Sequence, residues 1–235
     1  MKNQKAIKIL KDAINFHENK DYAHAERLYK KVLNSDKNNY DALRHLGILK
    51  LDNNFLEAAK VFFEKSINVN NKLPHAYNNL GQYYFLIGDF DIAIENFNLC
   101  LNRDQAYWPA INNLAKLYVK LHDREKSLYF SELAYKGNPS DIDSKKAYGE
   151  ALILNENNIE GITLLKEIIK DHQDLGAYNI LQGVYKNLGN FDLSLKMCKE
   201  ALKINPLDPL SIYNISSFKN IDDDEVSFED KVING

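Results

Sequence analysis

Histidine, cysteine, asparagine and the carboxylates are the side chains of this 235-residue chain that could bind or react. The histidines are His17, His24, His45, His75, His122 and His172. No two lie four residues apart, the spacing that lets two imidazoles on one helix face share a metal ion. Cys100 and Cys198 match no C-x-x-C pattern, so neither a zinc site nor a disulfide framework is expected, and a reducing compartment fits. Phosphate-cradling loops need glycines packed ahead of a helix, and neither G-x-x-x-x-G-K-S/T nor G-x-G-x-x-G occurs. Carboxylates are plentiful, but pairs such as Glu64-Lys65 and Asp123-Arg124 read as solvated partners on a helix surface. No acid–base pair, nucleophile or cofactor site emerges, so the chain is expected to be no enzyme and to use no cofactor or metal.

Charge narrows the partners. With 30 basic against 33 acidic side chains the formal net charge is −3, whereas a nucleic-acid binder needs a strongly basic face to displace counterions from phosphates. Nucleic acid is therefore not an expected partner. The negative charge is concentrated at one end: residues 219–235 carry six acidic and two basic side chains, which leaves the preceding body at +1. Residues 221–235 read as an acidic tail or linker. The amphipathic opening and the lack of any run of about 18 apolar residues predict a cytoplasmic protein with no membrane span or membrane partner.

The elements that must position these side chains are written in a period. Gly47, Gly81, Ala115 and Gly149 recur every 34 residues, as do Leu46, Leu80 and Leu114, and Ala25, Ala59, Ala93 and Ser127. Past residue 150 the register drops by one: Tyr77 and Tyr178, Leu80 and Leu181, Gly88 and Gly189, Phe90 and Phe191 are each 101 apart. One residue is therefore missing from the fifth repeat, and Gly183, which falls on the uncorrected series, is a coincidence. Tyr77, Leu80, Gly81 and Tyr84 share one face of a helix that Gly88-Asp89 ends. Phe90, Ala93, Phe97, Cys100 and Leu101 line a second helix. Small Gly81 and Ala93 let the two approach, and Phe97 is expected to fill the space toward the next repeat. Pro139 and Pro206 stop second helices. No segment shows the alternation of a strand.

The stretch Tyr77-Asn78-Asn79-Leu80-Gly81, Tyr84, Gly88-Asp89-Phe90, Ala93, Phe97 resembles the tetratricopeptide repeat. The resemblance implies an all-α fold, a right-handed superhelical solenoid of stacked antiparallel helix pairs. It covers residues 6–208 as six repeats (6–39, 40–73, 74–107, 108–141, 142–174 and 175–208), followed by a polar-faced capping helix over 209–220. Its implied use is a concave groove that holds a protein or an extended peptide, as a non-catalytic scaffold or adaptor. The flanks, Ala25-Glu26-Arg27-Leu28-Tyr29 and Tyr213-Asn214-Ile215-Ser216-Ser217-Phe218, are similar to the solenoid part of bacterial sulfotransferases and of O-linked N-acetylglucosamine transferases. The alternative is then a substrate-recruiting region whose catalytic domain lies outside this chain.

By the family's geometry the groove should present Lys11, Arg44, His45, Asn78, Asn79, Gln82, Asn112, Asn113, Lys116, Lys146 and Asn179. Amides both donate to and accept from a peptide backbone, and a guanidinium pairs with carboxylates. Asn79 and Asn113 fall where the glycosyltransferase solenoids carry a backbone-gripping asparagine ladder, and neither is expected to be needed for packing. The five-residue clamp of chaperone-binding relatives fits less well: Arg44 and Asn79 match two places, while Ile48, Pro109 and Asn113 occupy the others. Ile7, Leu10, Ile14 and Ile48 are expected on or near the concave side, either buried by a slight rotation of the first repeat or offering an apolar contact to a partner or a second copy. The oligomeric state is left open.

Overall fold

The apolar residues at helical spacing fold as twelve helices in chain order, followed by a thirteenth, in a computed structural model that describes residues 2–218. They are α1 (Lys2–Glu18), α2 (Tyr22–Ser35), α3 (Tyr40–Asp52), α4 (Leu56–Val69), α5 (His75–Ile87), α6 (Phe90–Leu101) and α7 (Trp108–Lys120). They continue as α8 (Arg124–Gly137), α9 (Ile142–Leu154), α10 (Asn158–Asp171), α11 (Leu175–Asn187) and α12 (Phe191–Ile204). A further helix, α13, takes in residues 209–218. No strand occurs among the described residues. α1 and α2, α3 and α4, α5 and α6, α9 and α10, and α11 and α12 pair side by side, and the described residues divide into two compact units between residues 117 and 118, within α7. The acidic stretch 221–235 lies outside the described residues.

The turn from a first to a second helix needs one residue in the left-handed region, and the period supplies it. Lys20, Asn54, Gly88, His122, Glu156 and Gly189 all have positive φ, between 55° and 83°. Only two are glycine, the residue that takes this conformation without a steric penalty. The next residue but one begins the second helix, and Asp21, Asp89, Asp123 and Asn190 accept a hydrogen bond from its first turn. The missing residue of the fifth repeat is in the connection that follows. Residues 172–174 join α10 to α11, whereas 36–39 join α2 to α3 and 138–141 join α8 to α9.

Packing in the first unit rests on aromatic rings set against glycine. A methyl group on Gly47 would lie 2.5 Å from Phe63 Cε1, and one on Gly81 would lie 2.6 Å from Phe97 Cε1. Phe97, expected to fill the space toward the next repeat, lies on the glycine of its own helix pair. Phe63 does both, since it also packs with Leu80 and Tyr83 of the following pair. Ala13, Ala25, Tyr29, Leu46 and Leu49 form the core of the first two pairs, with Leu10 and Ile14 packed against it. Ile48 packs beside Phe63, while Ile7 is exposed.

The second unit closes its α9–α10 pair differently. Gly161 approaches Gly149 so nearly that a methyl group on Gly161 would lie 2.6 Å from the Gly149 carbonyl oxygen. Leu165, Ile168, Ala177, Leu181, Tyr185 and Met197 then form the core across α10, α11 and α12. Helix α13 attaches to α11 chiefly through polar groups around the fully buried Gln182. Gln182 Nε2 donates to Asn179 Oδ1 at 2.6 Å, and its Oε1 accepts from Cys198 Sγ at 2.6 Å and Asn214 Nδ2 at 3.3 Å. Lys186 Nζ donates to Asn214 Oδ1 at 2.9 Å and lies over the rings of Tyr213 and Phe218. The outward side of α13 is not the polar face expected of a cap, because Leu210, Ile212 and Tyr213 are 44%, 44% and 66% exposed.

Candidate functional site

In the first unit α3 and α5 bring Arg44, His45, His75, Asn78 and Asn79 into one region. Arg44 and His75 are close enough to interact electrostatically, and His75 and Asn79 lie one turn apart on α5. Arg44 Nη2 donates to His45 Nε2 at 2.6 Å, and the His45 ring stacks on Tyr29 with centroids 5.9 Å apart. Burial first, then the Arg44 charge, pushes the pKa of His45 down to about 3. The ring is therefore neutral at physiological pH, with its proton on Nδ1. His75 is lowered by the same causes and meets Tyr107 edge to face.

Asn78 and Asn79 are both buried, at 3% and 6% exposure, but they differ in what they bond. Asn78 Oδ1 accepts from Asn113 Nδ2 at 3.0 Å, which ties α5 to α7. Asn113 is thus engaged inside the protein, contrary to the expectation that packing does not need it. Asn79 Nδ2 meets no acceptor, and neither does Arg44 Nε; His75 Nδ1 likewise has no partner. Buried polar atoms are almost always satisfied, so these three single out this part of α3 and α5. Gln82, Asn112 and Lys116 are half-buried on α5 and α7, and Lys11 is exposed on α1.

The remaining predicted residues belong to the second unit. Lys146 Nζ bonds Asp174 Oδ1 and Oδ2 at 3.1 and 3.0 Å and lies 3.4 Å from Asp143, so its charge is already matched. Asn179 donates to Asp208 at 3.2 Å and lines a groove of about 600 Å³ between α9, α11 and α13. Ile153, Leu154, Ile180, Val184 and Leu210 make its walls apolar, and Glu150 is set among them. Burial pushes the Glu150 carboxyl up, with His122 and Lys146 acting the other way. Gly183 also lines this groove, and a methyl group there would meet nothing within 4 Å. Sequence reasoning missed this groove. The available signal was Glu150 followed by Ile153 and Leu154, three and four residues on, which puts a carboxylate and two apolar side chains on one face of α9.

A wider hollow of about 810 Å³ between α2 and α4 is lined by residues such as Leu33, Lys37, Phe62 and Lys65 and holds none of the unpartnered buried atoms. Cys100 is fully buried, and desolvation holds its thiol at a pKa of about 12, so it stays protonated. Among the described residues no three His, Cys, Asp or Glu side chains converge on a point that could hold a metal ion. No described helix is long and apolar enough to cross a membrane.

Comparison with known proteins agrees with this architecture. The tetratricopeptide repeat family model matches residues 74–107 and 177–206. The TPR repeat-containing protein MJ1428 of Methanocaldococcus jannaschii is 23% identical over 209 residues, which is 85% of this chain and 37% of that protein. The chain thus spans little more than a third of that relative. Among solved structures, the Cut9–Hcn1 hetero-tetramer of APC/C superposes with a TM-score of 0.82 at 14% identity, covering 90% of this chain and 42% of that one. PilF of Pseudomonas aeruginosa gives 0.77 at 11% identity, covering 92% and 98%. YrrB, described as a TPR protein with an unusual peptide-binding site, gives 0.59 at 20% identity, covering 80% and 97%. The fold is that of tetratricopeptide-repeat solenoids.

Proposed function

We propose that this chain is a non-catalytic scaffold that holds a protein segment or extended peptide against α3, α5 and α7, working in the cytoplasm. The observation that carries the reading is the set of unpartnered buried donors, Asn79 Nδ2 and Arg44 Nε, beside His75 Nδ1. A buried donor left without an acceptor costs about 1–3 kcal/mol. A peptide carbonyl placed against each would recover that cost. Two free, buried cysteines suit a reducing compartment. The peptide-binding site for which YrrB is described supports the same use of the fold.

Asn79 is the residue to test, because Asn113 is engaged with Asn78. Asn79→Ala should leave the helical content unchanged and weaken binding of a selected peptide by about 1–3 kcal/mol. Equal affinity for the two forms, measured by titration, would remove Asn79 from the site. A substrate-recruiting role within a sulfotransferase or glycosyltransferase would use the same groove, and a reading frame that continues past Gly235 into a transferase domain would identify it.

A further inference from the structure

We infer that the groove of the second unit is a specificity subsite for a peptide bearing an apolar side chain next to a lysine or arginine, whose cation pairs with Glu150. This rests on the peptide-binding reading and adds what kind of peptide is chosen. One charge in this groove is left over. Arg124 and Glu156, both at the groove, pair with each other at 2.8 Å. Lys146 on α9 is held by Asp174 at 3.0 Å and Asp143 at 3.4 Å. Glu150 is bonded by no donor among the described residues, and it sits in a trough walled by Ile153, Ile180 and Val184. His122 is the remaining titratable neighbour and is exposed.

A carboxylate with apolar neighbours and no donor is poorly solvated, and a cation brought to it gains more than it would at an open surface. Burial already raises the carboxyl's proton affinity, which is the same demand for positive charge met by a proton. The apolar half of the specificity comes from the walls and from Gly183, where the lack of a side chain leaves the floor open. A leucine, isoleucine or phenylalanine from the ligand would fill that space, and its basic neighbour would reach Glu150.

The test pans a random peptide library on the wild-type chain and on Glu150→Gln, a nearly isosteric change whose folding is checked by circular dichroism. The wild type should enrich peptides with Lys or Arg beside an apolar residue, and Glu150→Gln should keep the apolar preference and lose the basic one. For one enriched peptide, anisotropy titration should show at least about a tenfold weaker affinity with Glu150→Gln. The same peptide with its basic residue changed to glutamine should bind both forms alike. An unchanged basic preference in Glu150→Gln, or enrichment of acidic residues by the wild type, would overturn this inference alone. Failure of the wild type to enrich any peptide would overturn the peptide-binding reading as well.

Discussion

The two units solve one packing problem in two ways and leave different chemistry exposed. In the first, a phenyl ring lies on a glycine, Phe63 on Gly47 and Phe97 on Gly81, so the interface between paired helices is filled by an aromatic. In the second, Gly149 and Gly161 bring backbone to backbone and Leu165 takes the space. Volume is exchanged across the interface while the pairing is kept, which is how cores tolerate substitution. The polar features diverge too. Among the described residues, the first unit gathers the Arg44, His75 and Asn79 nitrogens without partners on α3 and α5, whereas the second has the lone Tyr185 hydroxyl and a groove carboxylate without a donor. One fold thus carries two different patterns of polar groups.

The sharpest break in this comparison should come from the ring. Phe97→Ala should destabilise the protein by about 3–5 kcal/mol, against no more than about 0.5 for exposed Glu95→Ala on the same helix, read from denaturant titration. Equal losses would show that the aromatic-on-glycine contact is not what holds α5 to α6.

Acid should separate the units next. His45 has a folded pKa of about 3, below its unfolded value, so its contribution is present above the ordinary histidine pKa and is lost as pH falls below it. By about pH 4 that loss should be on the order of 2–3 kcal/mol. Hydrogen exchange should show protection fading in peptides around α3, and a His45 pKa near the ordinary value by NMR would contradict it.

The glycines give the third contrast. Gly161→Ala forces a methyl group onto a carbonyl oxygen that cannot move aside, and should cost about 1–3 kcal/mol. Gly183→Ala meets open space inside a helix and should stabilise by about 0.5–1 kcal/mol. Thermal melts that move in the same direction for both would end the distinction between a contact glycine and a groove glycine.

The smallest effect is set by Glu150. Its folded pKa is raised, so the charged form is disfavoured and stability is lost as pH rises from the unfolded value through the folded one. Glu150→Gln should therefore melt at a higher temperature than the wild type at neutral pH, and the advantage should vanish in acid. An advantage that persists in acid would mean packing, not charge, is responsible.

Much of the fold was legible in the sequence because the period is carried by residues whose roles are steric. Gly81, Leu80, Ala93 and Phe97 repeat since small, large and ring-sized positions must coincide for two helices to meet. The turns were only partly legible: Gly88 and Gly189 announced a left-handed residue, whereas Lys20, Asn54, His122 and Glu156 adopt it through their place in the period. The site was less legible still. Helical spacing places Asn78, Asn79 and Asn113 on α5 and α7, but the partner of each amide depends on rotamers and on the facing helix. Likewise, Gly183 lies off the contact series, as its register indicates, and what it contributes is unoccupied space in a groove that only three-dimensional assembly creates.

The polar seam around Gln182 has a consequence for how the end of the array comes apart. An oily seam lets a helix slip by a turn at modest cost, while donors and acceptors at fixed points are satisfied in a single alignment. Because Asn179, Cys198, Ser211 and Asn214 all converge on one side chain, they let go together. The amide protons of α13 should then exchange as one block with a common opening rate, and that rate should rise when the single glutamine is shortened to alanine.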